Sequence, residues 1–287
     1  MIYIHQVGCI NYKETEVVDI KATCKLVAPK FIRRTDNFIQ LAILGVEQIQ
    51  QKTSIKPNCA LYLTSGQGNL GVFQRLCKQC VVDKSPPKPV DFINSLSNTA
   101  GFYISQFLNL ESKNSNLSHI SFVVEMALLL AKSDLLLNKE EQILLGGVDQ
   151  LLPNRDFSQA TLGLSDTAAL GQGSNWMLLS QSPEGALANI SLTNIEMNKS
   201  ELMVYLSKVS ADVGHYKLGF SLLIEEPIVN AILKEANRCR FHYEADVGFY
   251  ETVVFYALNQ FVLNEKGKLI FIDYFDFKYR VITLDRL

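Results

Sequence analysis

Long hydrophobic runs are missing from this sequence. The most apolar stretch, ISFVVEMALLLA at 120–131, is short and carries Glu125, so no segment reads as a bilayer span. The opening MIYIHQVGCI has no basic region followed by an apolar run, and a secretory signal is not expected. Cysteine is sparse: six residues scattered over 287 do not resemble the dense disulfide framework of a small secreted domain. Reduced thiols in a cytoplasm are the expectation. A charge excess is also missing, with a formal net charge of -2 and no run of five like charges. Nothing then draws the chain to a phosphate backbone or an anionic membrane, and nucleic acid is not an expected partner. Only four histidines are present, His5, His119, His215 and His242, and they give no Ser-His-Asp ordering.

What is present is an apolar fraction of 48%, enough for a sizeable core in one large domain or two half-sized ones. FIRRTDNFIQLAILGVEQI spaces Phe38, Leu41, Ala42, Gly45, Val46 and Ile49 as one helical face after a polar cap. CALYLTSGQGNLG reads as a buried strand breaking into a glycine loop, with a helix following through Phe73 to Cys80. DKSPPKPVDF is a stiff connection, because each proline fixes its backbone angle and removes a donor. Beyond it, Ser97 or Asn98 can cap a helix carrying Ile104, Phe107 and Leu108 on one face. A helix over 122–135 and the strand QILLGG come next.

From about residue 155 the pattern continues through NWMLLSQSP, NISLTNIEM, a polar helix near 199–212 and an apolar one near 226–236. DVGFYETVVFYALNQFVL reads as a long buried helix, and KLIFIDYFDFKYRVITL as two antiparallel strands. Alternating strands and helices with glycine-rich strand ends place the chain in the α/β class, divided into 1–154 and 155–287. No repeat of 20 to 50 residues is evident.

The order of TSGQGNLG, DFINSLSNTAGFYIS, SHISFVVEMALLLA and ILLGGVDQ resembles the β-ketoacyl synthase branch of the thiolase-like fold, from about residue 30 to the end. SDTAALGQGSNWMLLS and the closing FIDYFDFKYRVITL are similar to later stretches of the same family. The resemblance implies a layered αβαβα fold of two similar halves, shortened. Counting back from Ala131 and Gly146 places Ser121 where the family has its nucleophilic cysteine. The two histidine-bearing segments of the family correspond to CRFHYEADVGFYET and to DYFDFKY, and the second has no histidine. Condensation needs a thiolate and two oxyanion donors, and a serine hydroxyl needs a base to activate it.

The resemblance therefore implies a catalytically vacant subunit, similar to the chain-length factors that pair with an active β-ketoacyl synthase and shape its acyl tunnel. The short ketosynthase-like partner of bacterial aryl-polyene and fatty-acid-like pathways is the nearest type. A heterodimer and, through it, an acyl carrier protein are the implied partners, with no cofactor. Asn98, Phe102, Tyr103 and Phe107 are the candidate tunnel or interface residues, against a plain reading of the aromatics as core. The alternative is an active acyl-transferring enzyme using Ser121 with help from His119 or His242. A self-associating scaffold or metal-binding module is a third reading.

Other features have plainer explanations. The glycines at 66–71 lack the Lys-Ser/Thr ending of a P-loop, so a tight turn is expected. Cys77 with Cys80, and Cys239 with His242, offer four zinc donors only as two weak pairs, and no metal is expected. Glu125 inside an apolar helix is costly unless paired, and marks a polar contact in the former active site.

Overall fold

The chain opens with a strand that its own pattern half conceals. In β1 (Ile2–Lys13), Ile2, Ile4 and Val7 enter the same core, but a bulge between Ile4 and Gln6 shifts the alternation by one residue. The computed structural model describes residues 1–287 apart from 152, 153, 163, 166, 167, 213 and 214, with the backbone alone described at 157, 158, 161 and 210–212. Two residues of the 165–180 stretch, 166 and 167, thus lie outside the described residues.

The further strands are β2 (Ala60–Thr64), β3 (Asn114–Leu117), β4 (Gln142–Asp149), β5 (Gly171–Ser180), β6 (Ala188–Leu192), β7 (Tyr216–Phe220), β8 (Cys239–Arg240), β9 (Gly267–Phe275) and β10 (Lys278–Arg286). The helices are α1 (Ile20–Val27), α2 (Asn37–Gln50), α3 (Leu70–Cys77), α4 (Pro89–Asn94), α5 (Thr99–Leu108), α6 (Val123–Leu136), α7 (Arg155–Leu162), α8 (Lys199–Asp212), α9 (Glu226–Ala236) and α10 (Val253–Asn264).

The strands pair in the order β3-β2-β4-β5-β1-β6-β10-β9-β7-β8. Read inward from each edge, the second half repeats the first: β8, β7, β9, β10 and β6 take the places of β3, β2, β4, β5 and β1. The halves join where Ile2–Ile4 of β1 pair with β6. β5 pairs with both β1 and β4, so the changeover between the repeats falls after Ser180. The expected division at 154/155 lies inside the first repeat by this pairing, because the turn-like composition there precedes one more strand of the first sheet.

Period-two alternation assigns each strand residue to a layer. Along β4, Ile143 and Leu145 join the central core with α6 and α10, while Leu144 and Val148 face α2 and α5. Along β9, Leu269 and Phe271 face the central core, and Ile270 and Ile272 face α8 and α9. The result is five layers, with helices α6 and α10 between the two halves of one continuous ten-stranded sheet and further helices outside each half. This is the layered α/β arrangement expected from the sequence. Each large side chain buried in such a layer stabilises the fold by about 1.5–3 kcal/mol.

Local chemistry fixes the elements that frame the site. Asp36 caps α2 by accepting from the Ile39 N–H at 3.1 Å. Gly146 lies under Trp176, where an added Cβ would stand 2.2 Å from Cδ2 of the indole. The Gly-Gly pair of ILLGGVDQ therefore lets β4 approach its neighbours.

The expected helix from Asp246 begins only at Val253. The Phe249 N–H donates to the Ala169 carbonyl at 2.8 Å, and the Gly171 N–H donates to the Phe249 carbonyl at 3.0 Å. These bonds draw the segment along the start of β5 and hold it extended.

Candidate functional site

Helix α6 follows edge strand β3, and its first residue is preceded by Phe122 in the left-handed region, φ 49° and ψ 45°. A bulky residue there is strained and persists only where the surroundings hold it. The Phe122 ring is buried, lies edge-on to Phe275 with centroids 6.3 Å apart, and has the Arg280 guanidinium 5.3 Å from its centroid. The sharp turn thus places Phe122, one residue beyond Ser121, at the head of the helix. Ser121 is partly exposed, and His119 Nδ1 lies 2.5 Å from its main-chain oxygen.

Phe122 walls a cavity of about 430 Å³ at the ends of α6, the glycine loop, the segment before α10 and the β9–β10 turn. The segment 239–252 contributes Phe249 and Glu251, and the turn 273–279 contributes Asp273 and Phe275. These are the two segments in which the resemblance places histidines. His119 also borders the cavity, whereas His242 is exposed and lies 3.6 Å from Glu244.

Two pairs of carboxyls frame this space, Asp149 with the half-buried Glu251 and the buried Glu125 with Asp273, and of the four the sequence singles out only Glu125. Asp149, at the end of β4, accepts from Ser65 Oγ at 2.7 Å, from the Gly66 N–H at 3.0 Å and from the Thr252 N–H at 2.8 Å. It therefore ties the glycine loop to the start of α10. Glu251 rests against Gly66, where an added Cβ would stand 2.0 Å from the carboxyl carbon.

Burial, and next the charge on Asp149, push Glu251 from its usual 4.5 up to about 8, against a weaker opposing bond from Gln67. On the other side, Glu125 is fully buried with no donor reaching its oxygens among the described residues, and Asp273 is its neighbour. Burial first, and the Asp273 charge second, raise Glu125 well above the carboxylate range, with Arg280 opposing. Burial pushes the Asp273 carboxyl up as well, against an opposing bond from Ser221.

These shifts have a sign in stability. The folded state binds the Glu251 proton more tightly than the unfolded chain does, so stability falls as pH rises from about 4.5 through about 8. Glu251→Gln is expected to flatten this fall, leaving the variant with the higher melting temperature at pH 9 and near parity below pH 5. Thermal melts across that range check it. An unchanged slope would mean that Glu251 is not the group responsible.

The other candidate residues lie on α5 and near it. Asn98 occupies the N-cap position but makes no side-chain cap bond. Phe102 is 55% exposed, while Tyr103 is buried, packs edge-on to Phe31, and reaches the Arg34 carbonyl at 3.4 Å. Phe107 packs partly against the outer core with Ile104 and Leu108. A second cavity of about 400 Å³ lies beneath this region, walled by Phe38, Leu70, Phe73, Leu96 and Ala100. Around it Phe92, Ile93 and Leu96 stand about half exposed, Ile120 is 90% exposed, and polar β3 is an open sheet edge.

Cys77, Cys80 and Cys239 are exposed and unpaired. Among the described residues no group of three or more His, Cys, Asp or Glu is arranged to hold a metal ion, and no helix is long and apolar enough to cross a membrane.

This architecture is that of the ketosynthases. The ishigamide ketosynthase/chain length factor matches it with a TM-score of 0.75 at 10% identity, over 100% of this chain and 99% of that one. The ketosynthase ApeO in complex with its chain length factor ApeC, from Xenorhabdus doucetiae, matches with a TM-score of 0.57 at 11% identity, over 99% of each chain. The 3-oxoacyl-(acyl carrier protein) synthase III, FabH, from Pseudomonas aeruginosa PAO1 matches with a TM-score of 0.57 at 13% identity, over 99% of this chain and 98% of that one. No protein-family model matches the sequence, and no curated protein matches it. Identities this low establish a shared fold, the thiolase-like fold of ketosynthases and FabH-type enzymes.

Proposed function

We propose that this chain is a non-catalytic, chain-length-factor-type subunit that pairs with an active β-ketoacyl synthase and shapes the tunnel in which its acyl or polyene product grows. The observation that carries the reading is the set of side chains at the three positions where a ketosynthase needs its nucleophile and two histidines. Ser121, the nucleophile position by counting, stands beside the Phe122 ring, and Phe249 with Glu251 and Phe275 occupy the two histidine segments, so a hydroxyl, aromatic rings and a carboxyl stand there. Aromatic rings and an ionised carboxylate offer no proton to a developing oxyanion, as histidine donors do. Ser121, the vacant nucleophile position by counting, has its nearby imidazole directed at its main chain rather than its hydroxyl.

The half-exposed apolar face of α4 and α5 suits a partner subunit, and solved relatives of this fold include a ketosynthase with its chain length factor and a ketosynthase with an acyl carrier protein. On this reading Asn98, Phe102, Tyr103 and Phe107 border the partner's tunnel, with Phe102 reaching outward and Tyr103 backing it. Aryl-polyene or fatty-acid-like synthesis is the process, and the reducing cytoplasm is the compartment.

Intact mass after incubation with acyl-carrier-protein or CoA thioesters tests the vacancy. No covalent adduct is expected, in the wild type or in Ser121→Ala; an adduct lost in that variant would establish an enzyme instead. Within the intact complex, Phe102→Ala is expected to shift products toward longer chains. Unchanged product length with the complex preserved would remove Phe102 from the tunnel's end.

A further inference from the structure

The two cavities border one another at Gln67 and Ser118, which belong to the walls of both. Each, at about 400 and 430 Å³, falls within the usual range of small-molecule pockets, about 300–1,000 Å³. Among the described residues their linings are apolar in the main by area and contain no lysine or arginine. The charged groups that do face them, Glu251 and Asp273, are acidic and sit in the first cavity only. In the wall of the second, the Asn94 side-chain oxygen has no hydrogen-bond partner among the described residues, and the residue is 3% exposed. Arg280 stands behind the Phe122 ring and turns toward Glu196 at 3.3 Å, outside the lining.

We infer that this chain alone binds a linear apolar molecule with an uncharged hydroxyl head, the head lying against Glu251 and Asp273 and the chain passing Gln67 into the second cavity. The selectivity is electrostatic. A hydroxyl both donates and accepts, so it pairs with a carboxyl in either protonation state. A carboxylate head would instead enter a space beside two acidic groups with no lysine or arginine to pair it, and the imidazole at its border, His119, has Nδ1 turned to the Ser121 main chain. The described walls of both cavities come from this chain, so binding is read on the chain without its partner.

Titration calorimetry of the purified chain with 1-octanol and with octanoate at pH 7 tests the inference. Saturable 1-octanol binding is expected, at least tenfold tighter than that of octanoate. Glu251→Gln should narrow that gap by strengthening octanoate binding. Gln67→Trp, which fills the junction, should weaken 1-octanol at least tenfold and leave 1-butanol unchanged. Equal or tighter binding of octanoate, or no saturable binding of 1-octanol, would overturn the inference. Equal losses for both alcohols in Gln67→Trp would overturn the two-cavity path.

Discussion

Replacing Ile93 and Phe102 together by aspartate is expected to weaken pairing with the ketosynthase by a hundredfold or more while leaving the chain folded. Both side chains are about half exposed, on α4 and α5, so neither is needed to fill this chain's own core. In a complex they would be desolvated at the centre of a face that also presents Phe92 and Leu96. Aromatic anchors at such centres cost about 2 kcal/mol or more when truncated, and a buried unpaired carboxylate adds a desolvation penalty. Size-exclusion chromatography of the co-expressed pair reads the outcome, with circular dichroism confirming the fold. A complex of undiminished affinity would place the interface on another face.

The second large effect is structural. Asp149→Ala removes the acceptor shared by Ser65, Gly66 and Thr252, leaving buried donors unpaired at the junction of the glycine loop, β4 and α10. Each orphaned group costs about 1–3 kcal/mol, and the relief of repulsion on Glu251 offsets part of it. A net loss of about 3 kcal/mol, or roughly 5 °C in melting temperature, is expected at pH 7. Glu251 should titrate lower in the variant, since one of its two raising causes is gone, yet remain above its usual 4.5 because burial persists. A melting temperature within about 2 °C of wild type would show that water replaces the carboxylate, and that the junction is not held by Asp149.

The sequence made the helical layers and the closing hairpin readable because their signals are local. In α2 the apolar positions recur at helical spacing behind the Asp36 cap, and β9 and β10 are two largely apolar runs paired in unbroken register on either side of a short turn. β1 was illegible although it is a central strand joining both halves of the sheet. Its bulge at Ile4/Gln6 breaks the period of two, which is the signal a strand leaves in sequence. The segment 247–252 failed for the opposite reason. Its apolar residues continue the helical pattern of α10, but bonds to Ala169, Gly171 and Asp149, all distant in sequence, hold it extended.

The site was legible in part. Counting from Gly146 reached Ser121, within one residue of the strained turn at Phe122. Glu125 stood out as a charge in an apolar helix, and its partner Asp273 lies almost 150 residues away. Asp149 and Glu251 left no signal, because an acidic residue at a strand end or in a loop looks solvated until the fold buries it.

The central claim is that the missing nucleophile belongs to a partner. Gentle recovery of the tagged chain from its native host, followed by native mass spectrometry, measures this directly. The account predicts a one-to-one complex with a ketosynthase that carries the catalytic cysteine. A chain recovered alone, or as a homodimer that takes up an acyl group on Ser121, would contradict it.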